Sequence, residues 1–315
     1  MRAHRLAPAL LAGATLLATQ AAAAEPDACA NVSFADVGWT DITATTALTT
    51  TVLDAIGYKT EVKAIPSLPM TFTGLSTGEI DVYLGLWLPT MATEIAPFEA
   101  AGTIDTVGVN LLGAKYTLAT NEQGAALGIR DFADLAPNQQ ALDGKIYAIE
   151  PGNDGNRTLL GMVAEDQFGT GTFEIVESSE QGMLAQVARL TRQDKPIVFL
   201  GWEPHPMNAN FQLTYLSGGD DLFGPNFGGA EVRTNTRKGL VEECPNLGRF
   251  LTNLKFTLEM ENEVMAAILD DGKAPDAAAR AWLAANPDTP AAWLDGVTTR
   301  DGGDALAAVQ SALAN

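Results

Sequence analysis

The stretch Asp36-Val37-Gly38-Trp39-Thr40-Asp41 contains the pattern that decides the fold, because its ending recurs twice further along the chain. Short apolar runs with a glycine near their end also lead to Trp87, over residues 82–87, and to Trp202, over residues 197–202. Each run predicts a buried strand that opens into a loop headed by tryptophan. Ligands of open α/β sheets lie outside the carboxyl ends of the strands, so we expect the three indoles to form three walls of one pocket.

A pocket of this kind favours a cation. A quaternary ammonium group has no N–H to donate, so aromatic faces are its natural partners, worth ~2 kcal/mol each or more when desolvated. Tyr116, at the start of a later strand, is a candidate fourth wall. The remaining tryptophans, Trp282 and Trp293, fall in an Ala-rich helical region and are expected to be structural.

Two polar residues beside the strand ends are candidate ligand contacts. Asp41 lies two residues after Trp39, where it predicts a helix cap, a carboxylate that attracts a cation and repels a ligand carboxylate, or both. Asn153 lies in the turn of residues 150–156, between a predicted strand and a predicted helix. Its ordinary role is the N-cap, and we expect it also to bind a ligand hydroxyl.

Residues 1–24 predict a secretory signal peptide, in which Arg2 and Arg5 precede an Ala/Leu-rich segment and small residues precede a cleavage point after Ala24. The apolar segment is shorter than the ~20 residues that a membrane span needs. Removing the leader with its two arginines would take the formal net charge from −20 to −22. Such a charge disfavours nucleic acid as a partner.

Strand and helix patterns alternate along the chain in two sets, which predicts an α/β architecture with parallel strands. The strand at residues 115–120 leads from the first set into the second, and the C-terminal part is expected to be mostly helical. We therefore predict one lobe from residues 25–112 plus 213–315 and a second from residues 113–212, joined by two chain crossings. A tryptophan-lined mouth between two lobes is typical of a hinged solute-binding protein.

An enzyme is a minor alternative. The sequence around Ser76, Gly-Leu-Ser-Thr-Gly, matches a nucleophile elbow, but a strand is predicted after it rather than before it. His205 is the single histidine outside the predicted leader, so a catalytic triad or a multi-histidine metal site lacks material. A hydrolase would have to use Ser76 and His205, and we predict no catalytic residue, cofactor or metal.

Six motifs along nearly the whole chain carry a family resemblance: residues 37–41 (VGWTD), 84–90 (LGLWLPT), 114–120 (AKYTLAT), 150–156 (EPGNDGN), 177–182 (ESSEQG) and 201–206 (GWEPHP). Together they resemble the periplasmic choline-binding proteins of ABC importers, within the wider glycine betaine and choline-binding group. The resemblance implies a two-lobed periplasmic binding protein fold, type II-like, with two chain crossings between the lobes.

The resemblance also implies residue roles. An aromatic box would surround the trimethylammonium group, formed by Trp39, Trp87, Tyr116 and Trp202. Asp41 would lie against the cation and Asn153 would hold the hydroxyl. The only two cysteines of an exported chain already favour a disulfide, and the resemblance pairs Cys29 with Cys244.

Partners follow from the same resemblance. The closed protein would deliver choline to an ABC permease at the membrane, acting as a periplasmic monomer that does no chemistry. Leu86 departs from the polar residue that this group places before the second tryptophan, so the sequence leaves the fine ligand preference open. The nearest alternative ligand is glycine betaine, with His205 or backbone N–H groups binding its carboxylate; acetylcholine is also left open.

Overall fold

The computed structural model describes residues 25–65 and 67–314. The predicted signal peptide, residues 1–24, lies outside the described residues. Within the described ranges, no helix combines the length and the apolar character needed to cross a membrane.

Nine strands form one sheet in the described part of the chain. They are β1 (Asn31–Asp36), β2 (Lys59–Ala64), β3 (Val82–Leu88), β4 (Ile104–Thr120), β5 (Lys145–Tyr147), β6 (Glu174–Val176), β7 (Val198–Glu203), β8 (Thr214–Tyr215) and β9 (Gly229–Arg237). Their spatial order is β2-β1-β3-β9-β4-β7-β5-β6, and β8 pairs with β4.

The same ranges contain fifteen α-helices. They are α1 (Thr40–Ala55), α2 (Leu68–Thr77), α3 (Ala92–Ala101), α4 (Glu122–Ala126), α5 (Asp154–Ala164), α6 (Glu180–Thr191), α7 (Met207–Asn210), α8 (Asp220–Phe223), α9 (Pro225–Gly228), α10 (Leu240–Glu243), α11 (Pro245–Asn253), α12 (Leu258–Leu269), α13 (Pro275–Ala285), α14 (Thr289–Trp293) and α15 (Ala305–Leu313).

The sheet divides into two parallel groups, one for each lobe. β1 is parallel to β2 and β3 in the first group, and β5 is parallel to β6 and β7 in the second. Helices connect the strands within each group, as a parallel βαβ arrangement requires. The predicted two-lobed α/β fold is confirmed.

The antiparallel strands β4 and β9 join the two groups. β4 pairs with β9 from Ile104 to Lys115 and with β7 from Lys115 to Thr120, so one long strand runs through both lobes. The sequence pattern predicts only the second half of β4, residues 115–120, and no strand at β9. Register shifts interrupt the β4–β9 pairing at three places, and β9 buries polar residues such as Asn235, so neither stretch shows a clean apolar alternation.

The lobe boundaries stay a proposal, and the contacts of residues 214–223 bear on the second crossing. β8 pairs with the end of β4, and the rings of Phe132 and Phe223 pack against each other. The backbone of Ser217 forms hydrogen bonds with the backbones of Phe132 and Arg130. These partners belong to the second lobe. The contacts favour a return crossing in β9 rather than at residue 213.

Helix α1 forms from a threonine-rich segment and begins at Thr40, one residue before the position that the sequence allowed as its cap. Threonine is a weak helix former, because its β-branch restricts χ1. Here the hydroxyls of Thr45, Thr49 and Thr50 donate to backbone carbonyls four residues earlier, at 2.7–2.9 Å. These three buried hydroxyls are thereby satisfied within the helix. α1 packs against α12 and α13 in the core of the first lobe.

A disulfide ties the start of the described chain to its last third. Cys29 and Cys244 are bonded and both are buried, which confirms the pairing that the family resemblance implied. Nearby, the Glu25 carboxylate accepts the backbone N–H groups of Asn246 and Leu247 at the start of α11. The N-terminal segment is thus part of the first lobe.

Candidate ligand-binding site

One pocket between the two lobes collects all six side chains that the sequence analysis proposed as ligand contacts. The space not filled by atoms is about 300 Å³. It is lined by Trp39, Asp41, Trp87, Met91, Tyr116, Ile149, Asn153, Asp154 and Trp202. Trp282 and Trp293 do not line it; their indoles donate to Glu263 and to the Lys255 carbonyl in the C-terminal helical region.

Trp39 reaches the pocket from the junction of β1 and α1. Gly38 has a φ of +89°, a conformation that favours glycine, and this turn places the indole at the N-cap position of α1. The indole Nε1 donates to Glu150 Oε1 at 2.7 Å, and Glu150 belongs to the second lobe. Trp39 therefore lies across the cleft, with its polar edge bonded to the opposite side.

Trp87 and Trp202 lie inside strands near their carboxyl ends, rather than in loops as predicted. Trp87 is in β3, and its Nε1 donates to Asp41 Oδ2 at 3.2 Å. Trp202 is in β7, directly opposite Tyr116 of β4 in the antiparallel register. The Tyr116 ring lies 6.2 Å from Trp87 and 6.3 Å from Trp202, so it links walls from both lobes. Each of these four aromatic side chains is at most 7% exposed.

Gly155 makes room for the Tyr116 ring. A Cβ at this position would overlap the Tyr116 hydroxyl and ring edge, so no larger residue fits while Tyr116 keeps its place. The Tyr116 hydroxyl donates to Asn153 Oδ1 at 2.7 Å. Sequence reasoning treated this glycine only as part of a turn, because its neighbour in space is 39 positions away in the chain.

Asn153 is the N-cap of α5, as predicted. Its Oδ1 accepts the backbone N–H groups of Gly155 and Asn156 at 2.8 and 3.2 Å, in addition to the Tyr116 hydroxyl. Asn153 Oδ1 already accepts three hydrogen bonds from the protein, so it is not available to accept one from a ligand. The amide Nδ2, which also reaches Glu150, is the group left to donate to a ligand.

Asp41 is buried and faces the pocket from the first turn of α1. It is not the helix cap that the sequence admitted, because the N-cap is Trp39 and Asp41 lies two positions later. Burial and then the negative charge of Glu180 raise the pKa of Asp41 to about 7, against the lowering effect of the hydrogen bonds from Ile42 and Trp87. A bound cation would favour the ionised carboxylate.

Asp154 is a second pocket carboxylate, and sequence reasoning missed it. It is fully buried and neither oxygen has a hydrogen-bond partner; the Thr90 side chain lies near but does not complete a bond. Burial raises the pKa of Asp154 to about 6. Its position directly after Asn153 could have indicated a pocket residue. It was missed because an Asp in the first turn of a helix ordinarily has the structural role of complementing the helix dipole.

Met91 and Ile149 are the other two lining residues that sequence reasoning missed. Both are apolar and buried, and no local pattern separates them from ordinary core residues. They add apolar surface without adding hydrogen-bond donors. None of the nine lining residues is basic.

His205 lies behind the box, not in it. Its Nδ1 accepts the backbone N–H of Met207 at 2.9 Å, so the ring hydrogen is on Nε2, which lies 3.2 Å from Glu180 Oε1. The ring also packs edge-on against Trp202, with centroids 4.9 Å apart. The imidazole is fully engaged with the protein, so His205 does not have the carboxylate-binding role that the glycine betaine alternative offered it.

Ser76 also has a structural role. It lies inside α2 rather than at a strand-to-helix turn, and its hydroxyl donates to the Thr73 carbonyl at 2.8 Å. Neither Ser76 nor His205 lines the pocket. The geometry that a nucleophile elbow requires is absent at this position, so the hydrolase alternative is wrong.

Comparison with known families gives a match over residues 30–285 to the substrate binding domain of ABC-type glycine betaine transport systems. This range covers most of the chain and includes every pocket residue. The family consists of transport receptors, not enzymes.

Several solved structures are similar. An ABC-transporter choline binding protein in complex with choline is 61% identical, with a TM-score of 0.89 over 92% of this chain and 100% of that one. A choline binding protein in an unliganded semi-closed conformation is 60% identical, with the same coverage and a TM-score of 0.84. Lactococcal OpuAC, closed around glycine betaine, is 25% identical, with a TM-score of 0.76 over 84% of this chain and 98% of that one.

Proposed function

This chain belongs to the family of substrate-binding domains of ABC-type glycine betaine transport systems, and from that premise we propose that it captures choline between its two lobes and delivers it to an ABC permease. Family membership places its work outside the cytoplasm. The finer location, the periplasm, is part of the proposal and rests on the predicted signal peptide.

The observation that carries the ligand assignment is the set of side chains that line the pocket. Four aromatic side chains and two buried carboxylates line it, and among the described residues it has no basic lining side chain. Aromatic faces attract a trimethylammonium group, and the carboxylates add charge attraction. If each desolvated face contributes ~2 kcal/mol, four faces account for most of the roughly 8 kcal/mol behind micromolar binding.

Choline fits this pocket better than glycine betaine, the second candidate. Both ligands have a trimethylammonium group, but betaine adds a carboxylate, which would enter a pocket that already contains Asp41 and Asp154. Like charges at close range cost affinity unless a donor compensates, and His205 is bonded to Glu180 instead. The choline hydroxyl needs a donor or acceptor, and the Asn153 amide supplies one.

The proposed site residues are therefore Trp39, Trp87, Tyr116 and Trp202 around the cation, Asp41 beside it, and Asn153 at the hydroxyl. The pocket takes side chains from both lobes, an arrangement that suits capture of a ligand by closure of the lobes. We propose that the receptor acts as a monomer. The sequence-based lobes are residues 25–112 with 213–315 and residues 113–212, and we propose one change to them: the chain returns to the first lobe in β9 instead of at residue 213.

The direct test is calorimetric titration of the purified protein, first freed of co-purified ligand by unfolding and refolding with the disulfide intact. Choline should bind with micromolar affinity, and glycine betaine should bind at least tenfold more weakly in a competition titration. Acetylcholine serves as a third arm that measures how much extra volume the pocket accepts. An absence of measurable heat at millimolar choline would overturn the proposal, and a preference for betaine would replace choline with the second candidate.

A further inference from the structure

One motif from the sequence, residues 177–182, has no part in the pocket wall, yet it contributes a buried carboxylate to the cleft. Glu180 is the first residue of α6 and is 1% exposed. Its Oε2 accepts the Thr40 backbone N–H at 2.9 Å, and its Oε1 accepts the Thr40 hydroxyl at 2.5 Å. One carboxylate thus takes both donors of one residue, and that residue is in the other lobe.

This contact completes a helix end. The N-cap position of α1 is held by Trp39, whose side chain makes no capping hydrogen bond to the helix. The first N–H groups of a helix need acceptors, and the positive end of the helix dipole favours a carboxylate. Glu180 supplies this acceptor from across the cleft, so α1 is capped in trans by the opposite lobe.

Glu180 is itself held by His205. The bond from Met207 N–H to Nδ1 fixes the ring hydrogen on Nε2, which lies 3.2 Å from Glu180 Oε1. Thr40, Glu180 and His205 are each at most 4% exposed. A buried carboxylate costs free energy unless donors surround it. Two of the three donors here come from Thr40 of the opposite lobe, so they reach Glu180 only while the lobes are closed.

The chain of contacts ends on both sides at the aromatic box. Thr40 lies between Trp39 and Asp41 in the first lobe, and the His205 ring packs on Trp202 in the second. Three other side-chain contacts cross the cleft within the described residues, Trp39 with Glu150, Glu94 with Arg157 and Asn210 with Asp270, but each has a partner that is partly or fully exposed. The bond of Glu180 to Thr40 is the one buried on both sides within the described residues.

We propose that Glu180, oriented by His205, is the closure latch of the receptor: a positioning residue that caps α1 from the opposite lobe and thereby couples assembly of the box to lobe closure. This inference rests on the proposed function for its ligand, but the latch itself is a property of the two lobes. The bonds between Thr40 and Glu180 stabilise the closed state, since opening would break them and expose both residues to water. Removing either partner should therefore shift the equilibrium toward the open state.

Two variants separate the latch from a simple charge effect. Glu180→Gln removes the charge and one acceptor, and it should weaken choline binding about 10- to 100-fold, as expected for hydrogen bonds to a charged group. Thr40→Val removes one latch donor from the other lobe and leaves the Glu180 charge in place; it should weaken binding about 10-fold. Glu174→Gln, an exposed charge change in the same lobe, is the matched control and should bind as the wild type does.

The readouts are the dissociation rate by stopped-flow fluorescence and the distance between spin labels at M70C and L160C, two exposed positions on α2 and α5. Loss of the latch should raise the dissociation rate with little change in the association rate, and it should shift the label distances toward the open state at saturating choline. Since Thr40→Val changes no charge, it tests the latch even if Glu180→Gln fails to fold.

Wild-type affinity, dissociation rate and label distances in Thr40→Val would overturn the latch. If the wild type itself gave no binding heat, the choline proposal would fail instead. The label distances of the wild type and Thr40→Val, compared under the same conditions, would still decide the latch, because Thr40 donates to Glu180 from the opposite lobe whichever ligand the pocket takes. Equal distances in those two proteins would refute it.

Discussion

Tyr116 and Trp202 are direct cross-strand partners in the antiparallel pairing of β4 with β7, with ring centroids 6.3 Å apart and ring planes at 81°. Two walls of the proposed aromatic box are therefore fixed by the hydrogen-bonded register of the sheet, not by loops. Because β4 continues into the other lobe beside β9, the same strand brings Tyr116 within 6.2 Å of Trp87.

Trp202→Leu should weaken choline binding by about 30-fold. The substitution keeps apolar surface in the pocket but removes one aromatic face, worth ~2 kcal/mol when desolvated. Calorimetric titration measures the change. Trp282→Leu removes a tryptophan that does not line the pocket and is the control; similar losses of affinity in both variants would contradict the box.

Gly155→Ala should also weaken choline binding, by about 10-fold, although residue 155 is not itself proposed to touch the ligand. The added methyl group would displace the Tyr116 ring and so disturb one aromatic wall. Gly161→Ala is a close control, because it lies in the same helix with no atom near its added Cβ. This control should keep wild-type affinity and gain ~0.5–1 kcal/mol of stability from helix propensity.

Choline affinity should fall as the pH drops below about 7. Burial raises the pKa of Asp41 to about 7, and a bound cation would stabilise its ionised form, so binding should release protons in this range. Asp154, with a pKa of about 6, should steepen the dependence at lower pH. Titrations in buffers of different ionisation enthalpy count the protons released. A flat affinity profile between pH 5.5 and 8 would contradict the role of these carboxylates.

Asp41→Asn should stabilise the ligand-free protein at pH 8 while weakening choline more than glycine betaine. The folded state raises the pKa of Asp41 from its ordinary 3.8, so the native protein binds more protons between the two values and this group's contribution to stability falls as pH rises toward 7. Removing the buried charge should add on the order of 1–3 kcal/mol at pH 8. Denaturant unfolding at pH 5 and pH 8 tests it, with the smaller gain expected at pH 5.

Replacing both Cys29 and Cys244 with serine should lower the free energy of unfolding by about 2–5 kcal/mol, because the bridge closes a very long loop of the unfolded chain. Choline affinity should not change at 25 °C, since neither cysteine lines the pocket. Wild-type protein unfolded with and without a reductant provides the comparison. A loss of affinity in folded double mutant would show that the bridge also shapes the cleft.

Much of the site was predictable from the sequence because its signals are local. Trp39, Trp87 and Trp202 each end a short apolar run, Asn153 stands at a recognisable turn, and the six motifs carry the family resemblance that also paired the cysteines. The strand ends of parallel βαβ units meet at one edge of a sheet, so residues far apart in the chain were expected in one place. The structure brings them there.

The tertiary structure alone decided the features that depend on partners distant in the chain. β9 has no apolar alternation of its own, and it is a strand because β3 and β4 supply hydrogen bonds on both sides. The sequence patterns assigned no individual role to Asp154 or Glu180. The burial of Asp154 without a hydrogen-bond partner, and the bond between Glu180 and Thr40, 140 positions apart in the chain, are visible only in the fold. Local periodicity specifies strands and helices, whereas the cost of burying a polar group is set by whatever packs around it, which only the folded chain defines.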